Sequence, residues 1–106
     1  MLSGQVGQHH LRLYISGSTP RSLRALSNIR RFCKTYLDSS HVLEVIDIYQ
    51  TPAAARDGQV VAVPMLVRLS PEPSCRVIGD LSDEHRLLSA LDLTHLVPDP
   101  KRDQTP

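Results

Sequence analysis

Leu11-Arg12-Leu13-Tyr14-Ile15-Ser16-Gly17-Ser18-Thr19-Pro20-Arg21-Ser22-Leu23-Arg24-Ala25-Leu26 is the stretch from which the architecture reads most directly. Leu11, Leu13 and Ile15 alternate with Arg12 and Tyr14, the period of a strand with one buried face. Ser16 to Pro20 carries turn chemistry that stops the strand. From Arg21 the apolar spacing becomes helical, with Thr19 placed as N-cap and Pro20 as the first helical residue. Strand, tight loop and helix in this order open a βαβ unit, whose loop at the strand's carboxyl end is a common functional position.

Working outward, the predicted helix runs from Arg21 to Leu37, with Leu23, Leu26, Ile29, Cys33, Tyr36 and Leu37 as its buried stripe. Arg21, Arg24, Arg31 and Lys34 spread over the opposite face, and no acidic residue lies between Arg21 and Leu37. That face reads either as an ordinary solvated surface or as an interface for an acidic protein. Asp38-Ser39-Ser40 ends the helix. Val42 to Ile48 is then a nearly continuous β-branched run, predicting an interior parallel strand covered on both faces.

Thr51-Pro52 repeats the cap-then-proline pattern and starts a short second helix, stopped by Gly58. Met65 to Leu69 and Cys75 to Ile78 predict an antiparallel hairpin around a turn holding Pro71 and Pro73, residues that cannot donate to a ladder. Ser82 is the expected cap of a third helix whose stripe is Leu87, Leu88 and Leu91. The predicted class is α/β. One four-stranded mixed sheet of order 2-1-3-4 carries three helices on its two faces, a thioredoxin-like arrangement. One domain fits the 106 residues, with a core over 11–93 and loose arms at 1–10 and 98–106.

Composition excludes several classes. The formal net charge is +1, and there is no Trp and one Phe, which argues against nucleic-acid binding. No apolar run approaches the ~20 residues that cross a bilayer. Met1 to His10 lacks the pattern of a signal peptide, so a cytoplasmic location is expected. His9 and His10 are adjacent and point to opposite sides of an extended chain, so they make a poor metal pair.

A thioredoxin-like redox enzyme needs a cysteine at the start of the first helix, where the helix terminus lowers the thiol pKa. Ser16 to Ser22 holds none. Cys33 falls on the buried stripe, and Cys33 and Cys75 are expected as free thiols. A phosphate loop would need more glycine and a lysine. Val63-Pro64 precedes a strand, the place of the cis-proline in thioredoxin-like folds.

LYISGSTPRSLRAL, VLEVIDI followed by Thr51-Pro52, the stretch Pro64 to Pro73, and Ile78-Gly79-Asp80-Leu81-Ser82 resemble the KaiB family in order and spacing. The resemblance implies a non-enzymatic component of a KaiABC-type circadian oscillator. Such a protein docks on the ATPase ring of a KaiC-family protein and regulates its phosphorylation cycle. A KaiA-like protein and a sensor histidine kinase are implied as further partners, with no cofactor or metal. It also implies two folds: a ground-state homo-oligomer, tetramer or dimer, with a rearranged C-terminal half, in equilibrium with a thioredoxin-like monomer. Arg24 matches a basic residue of the family's docking helix. Gln59 stands where a lysine is usual, and Arg68 replaces a lysine common in the third strand. The expected contact set is Arg21, Arg24, Arg31, Lys34, Gln59 and Arg68. The expected fold-switch positions are Pro64, Ala90 and Asp92. Many relatives have glycine where Ala90 stands; placed mid-helix, alanine would favour the thioredoxin-like state by roughly 0.8–1 kcal/mol. The alternatives are a KaiB-like partner of a non-standard KaiC in stress adaptation without rhythm, and a thioredoxin-like oxidoreductase, which the cysteine-free loop opposes.

Overall fold

In the computed structural model, which describes residues 8–37 and 40–96, strand β1 (His9–Ile15) is central, as its alternation requires. It pairs in parallel with β2 (His41–Asp47) and antiparallel with β3 (Met65–Ser70), with a register shift between His10 and Leu11. Strand β4 (Cys75–Ile78) closes the hairpin on β3, giving the order β2-β1-β3-β4. The helices are α1 (Pro20–Phe32), continued by a π-helical turn Cys33–Leu37, then α2 (Pro52–Asp57) and α3 (Glu84–Ala90), followed by a 3-10 turn Thr94–Leu96.

The two faces of the sheet bury different sets. Leu11, Leu13 and Ile15 pack with Leu66, Val77, α1 and α3 in the larger cluster. Tyr14, Met65 and Val67 point the other way and pack with Ala54 of α2, Val60 and Val63. Each fully buried aliphatic side chain contributes roughly 1.5–3 kcal/mol. The helices therefore lie on both sides, and the fold is thioredoxin-like as expected.

Several local expectations are corrected. Strand β2 is an edge strand: Val42 is 45% and Val45 39% exposed, and none of its residues is buried. A β-branched run marks a strand but does not count its neighbours. In α1 the buried residues are Ser22, Ala25, Ile29 and Phe32, while Leu23 is 52% exposed. The stripe rotates toward Ser22 because that hydroxyl is satisfied inside, accepting the Ser16 N–H at 3.0 Å. Asp83, not Ser82, caps α3, accepting the Arg86 N–H at 3.1 Å. Ser82 instead donates its N–H to Asp80 Oδ1 at 3.1 Å. His9 and His10 belong to β1 and not to a loose arm; residues 1–7 of that arm, the C-terminal arm, and Asp38 and Ser39 lie outside the described residues.

Helices α2 and α3 end alike. After α2, Val60 N–H reaches Ala55 O (2.8 Å) and Gln59 N–H reaches Arg56 O (3.2 Å). After α3, Leu93 N–H reaches Leu88 O (2.7 Å) and Asp92 N–H reaches Ser89 O (3.1 Å). Both are Schellman endings, with Gln59 (φ 54°) and Asp92 (φ 60°) in the left-handed position that glycine usually fills. Ala90 is the last residue of α3 and not its middle, so the interior-helix penalty of glycine does not apply there in full.

Candidate docking surface

The loop between β1 and α1 is a structural joint. Thr19 caps α1, its Oγ1 accepting the Ser22 N–H at 3.3 Å. Asp47, at the end of β2, accepts the Gly17 N–H (3.0 Å) and the Tyr49 N–H (2.9 Å), tying the loop to the neighbouring strand. Gly17 has φ 61°, and a Cβ there would sit 3.0 Å from the Tyr49 ring. Val63–Pro64 is cis, and Pro64 O accepts the Gly79 N–H at 3.0 Å. This apparatus holds no redox group. Cys33 is 1% exposed, burial pushes its thiol up to about 11, and it is free, as is Cys75.

The basic face of α1 and of the π-helical turn that continues it is on the surface, with Arg21, Arg24, Arg31 and Lys34 all exposed, and Arg30 joins them. The sequence shows no acid within the helix, but the fold supplies one from outside it. Asp80 lies beside α1, its Oδ2 3.5 Å from Arg24 Nε. Asn28 Nδ2 donates to the Asp80 carbonyl (2.8 Å), and Arg31 donates to Asn28 Oδ1 (2.6 Å). The Ser82 hydroxyl and N–H, followed by Arg24, hold the Asp80 carboxyl below the ordinary carboxylate range. Arg24 and Arg31 are thus oriented by a polar chain. Arg21 and Lys34 have no carboxylate partner among the described residues.

The remaining expected contact residues do not join this face. Gln59 follows α2, on the far side of the sheet from α1. Its carbonyl and that of Gly58 accept from Arg76 at 2.7 and 3.1 Å. Arg76 is therefore a cation beside Gln59 that sequence reasoning missed, because the two are joined only by the fold. Arg68 is 4% exposed and donates to Leu91 O (2.5 Å) and Pro73 O (2.9 Å). It ties β3 to the end of α3, so its guanidinium is turned inward and does not join the exposed cations of α1.

The KaiB domain model matches residues 12–93. The chain belongs to the KaiB family. It is 42% identical over 83 residues to the circadian clock oscillator protein KaiB of Prochlorococcus marinus (strain SARG), covering 78% of this chain and 71% of that protein. It is 41% identical over 85 residues to KaiB of Synechococcus sp. (strain CC9311), covering 80% and 71%. Among solved structures, the N-terminal domain of Synechococcus elongatus SasA superposes with TM-score 0.65 at 20% identity, covering 85% of this chain and 89% of that domain. The Drosophila melanogaster thioredoxin Deadhead superposes with TM-score 0.64 at 18% identity, covering 91% and 88%. The KaiB resemblance and the thioredoxin-like fold are both as expected, and the chain is a homologue of circadian clock oscillator proteins with nothing that supports an oxidoreductase.

Proposed function

We propose that this KaiB-family chain works without catalysis, as the docking component of a KaiABC-type oscillator. Its partner is the ATPase ring of a KaiC-family protein, whose phosphorylation cycle it regulates, and α1 supplies the contact charges. The observation that carries the reading is the exposed cationic face of α1 on a chain with KaiB relatives at about 40% identity over most of its length. Charges of this kind set approach and orientation more than they add affinity, so binding should weaken as salt rises. The N-terminal domain of a SasA-like protein shares the fold and would compete for the same ring.

The test is a pull-down and titration against the cognate KaiC homologue. Arg21→Glu and Lys34→Glu, which disturb no ion pair of the described residues, are expected to weaken binding by roughly tenfold each, about 1.4 kcal/mol. Arg24→Glu is expected to do at least as much, because it also faces Asp80 with a like charge. Unchanged affinity across all of these substitutions removes α1 from the interface.

A further inference from the structure

Between the start of β1, the π-helical turn and the end of α3 lies a cleft of about 380 Å³. Leu37, Leu91 and Leu93 give it apolar walls, with Tyr36 and His9 beside them, and Arg68 lines it from β3. None of Arg21, Arg24, Arg31 and Lys34 lines it. The volume is within the range of small-molecule sites, ~300–1,000 Å³, and the lining combines apolar walls with polar and charged groups.

Arg68 is the unusual member. Its guanidinium is buried, yet its partners are the neutral carbonyls of Leu91 and Pro73. No carboxylate of the described residues pairs with it, and its Nε has no hydrogen-bond partner. A guanidinium offers five N–H donors, and a buried cation without a counter-charge is costly. A group that brings one negative charge to this cation, and an apolar body to the leucine walls, satisfies both halves of the cleft. The exposed acids Glu72 and Asp92, also in the lining, disfavour a dianion such as phosphate.

We infer that this cleft is a binding site for a small amphipathic monocarboxylate, whose carboxylate pairs with Arg68 and whose aliphatic or aromatic body lies on Leu37, Leu91 and Leu93. Because Arg68 also holds the carbonyl that ends α3, the ligand would stabilise the β3–α3 junction. This site is independent of the α1 docking surface.

The experiment titrates the full chain with octanoate and, separately, with octan-1-ol, following backbone amide NMR shifts and the melting temperature. Octanoate is expected to give saturable shifts centred on His9, Tyr36 and Leu93 and to raise the melting temperature, with octan-1-ol at least tenfold weaker. Arg68→Met is expected to abolish the preference for the acid. Absence of saturable octanoate shifts, shifts centred elsewhere, or equal affinity for the alcohol overturns the inference. The comparison of acid with alcohol uses the unaltered protein, so it stands even if Arg68→Met fails to fold.

Discussion

Gly58 is the residue where replacement by alanine sets two known effects against each other. It closes α2 with φ −88° and ψ 1°, angles open to any residue. On the backbone alone, alanine would therefore stabilise by about 0.4–1 kcal/mol, through the lost freedom of the unfolded chain. The surroundings oppose this. A Cβ built on Gly58 runs into the Tyr14 hydroxyl oxygen, sits 2.8 Å from Tyr14 Cζ and lies 3.1 Å from the Ala54 carbonyl oxygen. Tyr14 is 3% exposed, anchored on the central strand and packed in the smaller core cluster, so its ring cannot swing clear. Overpacking of this kind costs roughly 1–3 kcal/mol. The steric effect wins, and Gly58→Ala should destabilise by about 1–2 kcal/mol. For a domain near this size that lowers the melting temperature by roughly 4–8 °C per kcal/mol. Circular dichroism melts of Gly58→Ala, Tyr14→Phe and the double variant read the coupling directly. Removing the hydroxyl should recover part of the loss, giving a non-additive term of about 1 kcal/mol. Its own partner, Arg12 Nη1 at 3.4 Å, is a weak bond, so Tyr14→Phe alone should cost less. A Gly58→Ala chain as stable as the parent, or a double variant that is simply additive, refutes the steric account.

On the same face of the sheet, Glu44 accepts from His10 Nε2 (2.9 Å) and Arg12 Nε (3.0 Å), and these bonds, His10 first, hold its carboxyl below the ordinary range. A depressed carboxyl stabilises the fold above its unfolded pKa and stops doing so as pH falls through the folded value. Urea midpoints of the parent should therefore exceed those of Glu44→Gln at pH 7, and the gap should close below about pH 4.5; a constant gap speaks against the pairing. The buried Cys33 thiol, pushed up to about 11, should resist iodoacetamide at pH 8 in the native chain while the half-buried Cys75 reacts. Mass spectrometry showing the reverse order would place Cys33 at the surface. An insulin-reduction assay with the same preparation should show no turnover.

How far the sequence reads depends on what kind of interaction is asked about. The hairpin of β3 and β4 and the Leu87–Leu88–Leu91 stripe follow from local period and turn chemistry, and both are observed. The rotation of α1 toward Ser22 was not legible, because a serine is buried only when a donor such as the Ser16 N–H is brought onto its hydroxyl, and the apolar period of the helix carries no sign of that bond. The basic face of α1 was legible as a set of charges, but its partial neutralisation by Asp80 was not. The burial of Arg68 was equally hidden, since an arginine in a strand gives no sign of which carbonyls it will reach.

The sequence by itself determined the strand–loop–helix unit at Leu11 to Leu26, the element order, the absence of a cysteine from the loop and the KaiB-like motifs. Each of these depends on residues close together in the chain, where periodicity, capping and turn preference act. The tertiary structure alone decided that β2 is an edge strand, that Gln59 and the α1 cations lie on opposite faces, and that Arg68 turns inward beside an apolar cleft. Those outcomes depend on long-range contacts, because burial and electrostatic pairing are set by what the folded chain brings alongside a residue.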